Sequence, residues 1–509
     1  MFFFHHYKCG QLFASVYNVI RLKINNRVFI IIVKYYLLYL SPVNRSMKNL
    51  IYYLLLIYAF ICAVSIYAFN GTGDSGDSIS HFLFTKYAPV HPRLFFDHWA
   101  KPLFVLLASP FAQFGFIGMK VFNSLVSIAV LFFTYKTTGR LNIANPILAA
   151  VILMFSPLNY ILTFSGLTEP LFALFTILGI YFCADKKFIS AAILISFLPY
   201  IRSEGLIILG VFGLYFLYRK SWKVLPFLFF GSVAYGIAGY FVHGNLLWVF
   251  TKIPYARLSS VYGHGRLLHF IDQLVNVTGV PIYILFWVGF IGLIVLVFRK
   301  KFNAEQHILL FLGFLTFFAA HSLFWYLGIF NSMGLKRVLI GILPIIALIT
   351  LLGFNFITET LWSLKPTIKK TVQALLVGYI LIFPFTVNPS AIQWEKDMML
   401  SPDQKLAEEV AKFVLAHKKT KGPLLYNYRY LSLSLNMDYF DPKVCKQISK
   451  GTIEEMAKGD FLIWDNQYAN FESGLEKENL DSLSQLTTMS TYKINENGKE
   501  CVFVLYEKK

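Results

Sequence analysis

From Met47 onward the chain alternates apolar runs, most of them about 20 residues long, with short polar breaks; about 20 residues is the length a helix needs to cross a hydrocarbon core. Eleven such segments stand near 50–69, 116–135, 143–162, 168–184, 188–201, 205–218, 224–243, 279–298, 308–328, 338–356 and 370–388. The two that flank Arg202 are too short to cross on their own and read as broken or tilted helices. Ahead of them, RVFIIIVKYYLLYL at 27–40 is short, is interrupted by Lys34 and has no small-residue cleavage site after it. Residues 1–46 therefore read as a dispensable extension. Met47-Lys48-Asn49, a cation followed by LIYYLLLIYAFICAVSIYAF, reads as the natural start.

The polar breaks set the orientation. Lys48, Lys136 with Arg140, Lys186 with Lys187, Arg219 with Lys220 and Lys223, Arg299–Lys301, and Lys365 with Lys369 and Lys370 all fall on one side of the alternation. Cytoplasmic loops carry this excess of cations, so the breaks at 70–102, 168–170, 244–278 and 329–337 face outward, as does everything after 389. Residues 391–509 change character. SPDQKLAEEVAKFVLAHKK has helical periodicity behind a Ser401 N-cap, and GPLLYNY, DFLIWDN and CVFVLYEK read as strands. The fold class is mainly α: a polytopic transmembrane bundle over 47–390, with a small α/β domain at 391–509 outside the cytoplasm and over the outer face.

Composition agrees. A hydrophobic share of 57%, a mean hydropathy of +0.58 and 52 phenylalanines exceed what a soluble chain of 509 residues carries. The net charge of +19 sits in loops suited to anionic lipid, so the partner is the bilayer and not nucleic acid. The five cysteines, Cys9, Cys62, Cys183, Cys445 and Cys501, show no metal-like spacing.

Charge concentrates in the first outer break, NGTGDSGDSISHFLFTKYAPVHPRLFFDHWAKP at 70–102. It holds Asp74, Asp77, His81, Arg93, Asp97, His98 and Lys101. A helix begun at Asp74 would align Asp74, Asp77 and His81 on one face. Other outer positions repeat the theme: Glu169 at a helix start, Arg202 with Glu204 in LPYIRSEGL, and Lys336-Arg337. Ionisable groups at such depth line a cavity or pair with one another. Taken singly, Glu169 also reads as a capped helix start, Arg202–Glu204 as an internal ion pair and Lys336-Arg337 as a headgroup anchor.

The acidic outer loop, HWAKPLF, SGLTEPLF, IRSEG and LKRVLIGILP, in that order and on that side, resemble the GT-C class of membrane glycosyltransferases, which includes protein mannosyltransferases, glycosylphosphatidylinositol mannosyltransferases and lipid A aminoarabinose transferases. The resemblance covers roughly residues 50–390 and implies a polyprenyl-phosphate sugar donor, a mannose-like hexose among the candidates. It also implies a lipid, glycan or protein acceptor, inversion at the anomeric centre and an acid of the first outer loop as base. Asp77 or Asp74 matches that acid, Glu169 the second acid and Lys101 the basic residue before proline. The chemistry suits the residues independently: a carboxylate accepts the acceptor's proton, and Lys101, Arg202 and Arg337 stabilise the departing phosphate. Of the two acids Asp77 is preferred. It adjoins the helix-forming stretch, stands four residues before His81, and neighbours Asp74 and Glu169, whose charges would raise its pKa. No cofactor is required; the acids leave room for a divalent cation, but no histidine spacing demands one. The rival reading is a lipid-sugar flippase or other polytopic transporter, against which no matched pair of interrupted segments occurs. The sequons at Asn70 and Asn276 fall on the outer side, and a glycan on Asn70 would crowd the loop, which favours a bacterial inner membrane.

Overall fold

The structure, a computed structural model, describes residues 49–254, 262–360, 365–496 and 499–509; the reading of residues 1–46 falls outside them. Each of the eleven apolar segments is helical. Among the described residues seven helices are long and apolar enough to cross a membrane, and the chain is a multi-pass membrane protein. Pro146–Met154 and Pro157–Thr163 form a pair bent by 68° that makes one more span if counted together. Pro157 ends the first helix of that pair, because it lacks an N–H and clashes with the preceding turn. Glu169–Ala184, Phe188–Tyr200 and Gly205–Tyr218 are shorter apolar helices. At 1.5 Å per residue the 14 residues of the last reach about 21 Å, short of a core of about 30 Å. The figure of eleven therefore counts helical segments, three of which do not reach across. Two further helices, Asp77–Tyr87 and Pro102–Ala112, fold within and just after the first outer break, and His269–Thr278 closes the break at 244–278.

The segment Lys336–Glu359 is the axis of the bundle, with its apolar window buried throughout. It meets the helix Val280–Phe298 backbone to backbone. A Cβ on Gly289 would collide with the Ile349 carbonyl oxygen, and one on Gly353 with that of Leu285. Small residues at a crossing let two helices approach this closely where no hydrophobic force drives association in lipid. The crossing fixes the axial helix, and that helix begins with Lys336 and Arg337 at the outer end.

The C-terminal α/β domain carries a five-stranded sheet of order β2-β1-β3-β5-β4. Strands β1 (Leu424–Tyr426), β3 (Phe461–Asp465) and β5 (Lys499–Lys508) are those expected; β2 (Cys445–Lys446) and β4 (Leu486–Glu496) are additional. β1 pairs in parallel with both β2 and β3, while β5 is antiparallel to β3 and β4. The expected helix runs Pro402–His417, with Ser401 N donating to Gln404 Oε1 at 3.1 Å.

This domain is tied to the first outer break. Gly71 N donates to Met398 O (2.9 Å), Leu400 N to Asn70 Oδ1 (3.1 Å) and Gln404 Nε2 to Thr72 Oγ1 (2.7 Å). Farther along, His91 Nε2 meets Asp438 Oδ2 at 2.9 Å and Phe440 packs on Phe84 at 4.7 Å between centroids. The domain thus stands over the end of the bundle that carries residues 70–91.

Gly353→Val tests the crossing. Overpacking costs about 1–3 kcal/mol, and here the obstacle is backbone that cannot rotate away. We expect a lower melting temperature of the purified protein, whereas Gly378→Ala, where a Cβ meets nothing within 4 Å, leaves it unchanged.

Candidate active site

The helix Asp77–Tyr87 begins at Asp77, one turn later than the sequence spacing implied. Gly73 takes a φ of +85°, which turns the chain before the helix. Asp74 then caps from outside: its Oδ1 accepts from Gly76 N (3.0 Å) and Ser78 N (2.8 Å). Asp77 opens the first turn and His81 follows one turn on. Ser78 Oγ accepts from Gly166 N at 2.7 Å, which binds this helix to the break before Glu169.

Two guanidinium groups organise the acids. Arg337 pairs through NH1 with Asp74 Oδ2 and through NH2 with Asp77 Oδ2, and its Nε stands 3.4 Å from Glu169 Oε1. Arg202 meets Glu169 Oε1 at 2.8 Å and Glu204 Oε1 at 2.7 Å, and donates to Thr168 Oγ1 at 3.1 Å. Glu169 is fully buried between them. Four carboxylates from three separate breaks are therefore bridged by two arginines. Arg202 and Arg337, expected as phosphate ligands, are engaged here with these carboxylates.

Lys101 differs. It donates to Ser203 Oγ at 3.1 Å and makes a long contact, 3.4 Å, with His98 O, with no carboxylate bound directly. Its backbone sits at φ +70°, a left-handed conformation that costs a non-glycine residue about 1–3 kcal/mol and is characteristic of functional positions. Burial pushes its ammonium pKa down to about 8, with Glu204 opposing.

Asp77, expected to be raised by its acidic neighbours, is instead lowered. Burial raises Asp74 above the ordinary carboxylate range, with Arg337 opposing and Asp77 adding. Asp77 also feels burial, but Arg337, His81 and Arg202 together hold it below that range. Asp77 keeps 43% of its side chain accessible against 29% for Asp74, so the acid held lower is also the less covered one. The hydrogen bond expected between Asp77 and His81 is not formed. His81 stacks on Trp99 at 5.1 Å, its Nδ1 has no hydrogen-bond partner among the described residues, and burial pushes its pKa down to about 3.

A cavity of about 1360 Å³ opens over this cluster, between the bundle and the C-terminal domain. Asp74, Asp77, His81, Lys101, Arg202, Glu204 and Arg337 line it, with Glu169 directly behind. Three expected residues do not reach it. Arg93 is exposed, Asp97 Oδ1 caps Ala100 N at 2.9 Å, and His98 is buried with Nε2 on Val249 O at 3.0 Å. The sequence reading missed Trp99, Ser203, His321 and the domain's Arg429, Tyr468 and Glu472, all of which line the cavity. His321 faces Glu204 at 4.0 Å. Among the described residues no group of three or more His, Cys, Asp or Glu side chains is placed to hold a metal ion.

The fold is of the GT-C type. Two solved structures share it: ArnT from Cupriavidus metallidurans bound to undecaprenyl phosphate (TM-score 0.57, 10% identity, covering 89% of this chain and 98% of that one), and the same protein in the apo state (TM-score 0.58, 9% identity, 89% and 97%). At this identity the likeness is one of fold. No protein-family model matches the chain, and no curated protein sequence does.

Arg337→Gln should cost about 3–5 kcal/mol, the usual penalty for breaking a buried ion cluster from one side. The pH dependence has a definite sign. Asp77, with its lowered pKa, contributes stability above the ordinary carboxylate pKa and loses it as pH falls through its depressed value. Without Arg337 that contribution vanishes and the acids prefer to be protonated. The melting temperature deficit of the variant should therefore be full at neutral pH and shrink only as pH falls through and below the ordinary carboxylate value of about 4; a deficit independent of pH down to that range would contradict this account.

Proposed function

We propose that this chain is a membrane glycosyltransferase that moves a sugar, a hexose such as mannose among the candidates, from a polyprenyl-phosphate donor to a hydroxyl acceptor at the extracytoplasmic face. The observation that carries the reading is that the partly open Asp77 and Lys101 line one cavity, within a fold shared with a protein captured with undecaprenyl phosphate. The two sides of a sugar transfer need those two groups. Asp77 Oδ1, which no donor occupies among the described residues, accepts the proton of the acceptor hydroxyl as that oxygen attacks C1. Lys101 Nζ, with no carboxylate bound directly, meets the phosphate that departs on the lipid. A single displacement of this kind inverts the anomeric centre.

Asp74 is less suited to the role. One of its oxygens caps the helix and the other binds Arg337, so protonating it would undo the local fold. Arg337 and Arg202 are positioning residues that keep four carboxylates apart and aimed. Leu158, Ile161, Leu162, Leu206 and Phe324 give the cavity an apolar wall on the bundle side, suited to the first isoprene units. A glycan on the exposed Asn70, whose Oδ1 accepts from Leu400 N at 3.1 Å, would crowd the tie between the C-terminal domain and the first outer break, and Asn276 Oδ1 accepts from Ser390 Oγ at 2.8 Å. That favours a bacterial inner membrane over a glycosylating compartment.

Purified chain in nanodiscs, given radiolabelled polyprenyl-phosphate sugars and a panel of acceptors, should release lipid phosphate and labelled product; a transporter would only move the lipid across a vesicle bilayer. Asp77→Asn should lower turnover by about 10²–10⁴-fold, the usual share of general-base catalysis, while undecaprenyl phosphate still binds. Full activity in both Asp77→Asn and Asp74→Asn would remove the mechanism. Lys101→Ala should weaken undecaprenyl phosphate binding by about 10–100-fold, the value of one charge-assisted contact.

A further inference from the structure

The C-terminal domain presents to the cavity one particular edge of its sheet. Asn427 and Arg429 follow β1, Gln447 follows β2, and Gln467, Tyr468 and Glu472 follow β3. These are the carboxyl ends of its three parallel strands, and the chain order reverses across β1: β2 lies on one side and β3 on the other. A crevice at the carboxyl ends of parallel strands, where the winding reverses, is where open α/β sheets bind ligands. Here that crevice opens into the cavity holding Asp77.

Among the described residues Arg429 is the cation of this crevice. Its guanidinium lies between two rings, 5.4 Å from the Trp99 centroid and 5.3 Å from that of Tyr439. NH1 donates to Ser80 Oγ at 2.7 Å, and among the described residues its other N–H groups have no protein acceptor. This is the opposite condition from Arg202 and Arg337, whose edges are filled by carboxylates. The backbone amides after β3 offer no alternative anion site, since Asp465 already takes them: Oδ1 accepts from Gln467 N and Tyr468 N, Oδ2 from Ala469 N.

We infer that Arg429 and the strand-end crevice around it form a second substrate subsite that binds an oxyanion. The inference rests on the glycosyltransferase reading only for the words "substrate subsite"; the anion binding stands apart from it. A flat guanidinium fixed between rings presents its free edge at little entropic cost, and that edge matches the paired oxygens of a phosphate or carboxylate. Gln467 and Tyr468 beside it are donors of the kind that hold sugar hydroxyls. The oxyanion has two sources: the donor's lipid phosphate, or an anionic group on a saccharide acceptor. Because Trp99 also stacks on His81, one turn from Asp77, the bound group would lie one ring from the acids.

The test is binding by full-length protein in nanodiscs, which needs no turnover. Undecaprenyl phosphate and glucose 6-phosphate are titrated separately against the wild type, Arg429→Gln, Arg429→Lys and Tyr439→Leu. Arg429→Gln should weaken one of the two probes by about 10–100-fold. Loss confined to undecaprenyl phosphate assigns the subsite to the donor; loss confined to glucose 6-phosphate assigns it to the acceptor. Arg429→Lys should recover part of the loss, and Tyr439→Leu, which frees the guanidinium without removing it, should fall in between. Unchanged affinity for both probes in Arg429→Gln, with a lowered melting temperature, would overturn the inference and leave Arg429 as a tie to Ser80. Failure of sugar transfer with these affinities intact would count against the enzyme reading alone.

Discussion

Arg337 is the constraint on which the site depends. Asp74, Asp77 and Glu169 come from two different breaks in the chain, and without a cation among them their mutual repulsion in a poorly hydrated place would drive them apart or force protons onto them. One guanidinium touching all three removes that cost and sets where each carboxylate stands. Its own position is set by the most buried helix of the bundle, which is locked against its neighbour at the Gly289 and Gly353 crossing. The geometry of the acid cluster is thus referred to the rigid centre of the membrane domain.

Much of this was legible in the chain. Apolar periodicity located the eleven long apolar segments, all of them helical, because lipid leaves a spanning backbone no alternative. The sidedness of the basic loops then put Asp74, Asp77, Glu169, Arg202, Glu204 and Arg337 at one end, and the structure gathers them there. Other features depend on partners distant in sequence. Asp77 is lowered instead of raised because acid–acid repulsion can be read from a loop, while an arginine some 260 positions later cannot be placed against one acid or the other. Asp97 and His98 looked chemical only because of their company; one caps a turn and the other serves Val249.

Arg429 illustrates what the sequence conceals. NYRYL gives no sign that its arginine leaves the domain's core, and neither charge density nor motif singles it out. Its place is dictated by the sheet: strands β1, β2 and β3 run parallel, so the residues just beyond them converge on one edge. Recognising that edge would have required the β2 pairing, two residues long and without a strand signal of its own.

Three of the hydrogen bonds that tie the C-terminal domain to the bundle land on Asn70, Gly71 and Thr72, just before Asp74. Lifting the domain to admit a bulky acceptor would therefore pull directly on the peptide that leads to the acids. Thr72 Oγ1 also donates to Asp74 O, and Ser78 Oγ to Thr72 O, so the strain would travel into the first turn of the helix. A load on the domain is thus carried by the same stretch of backbone that orders the first turn bearing Asp77.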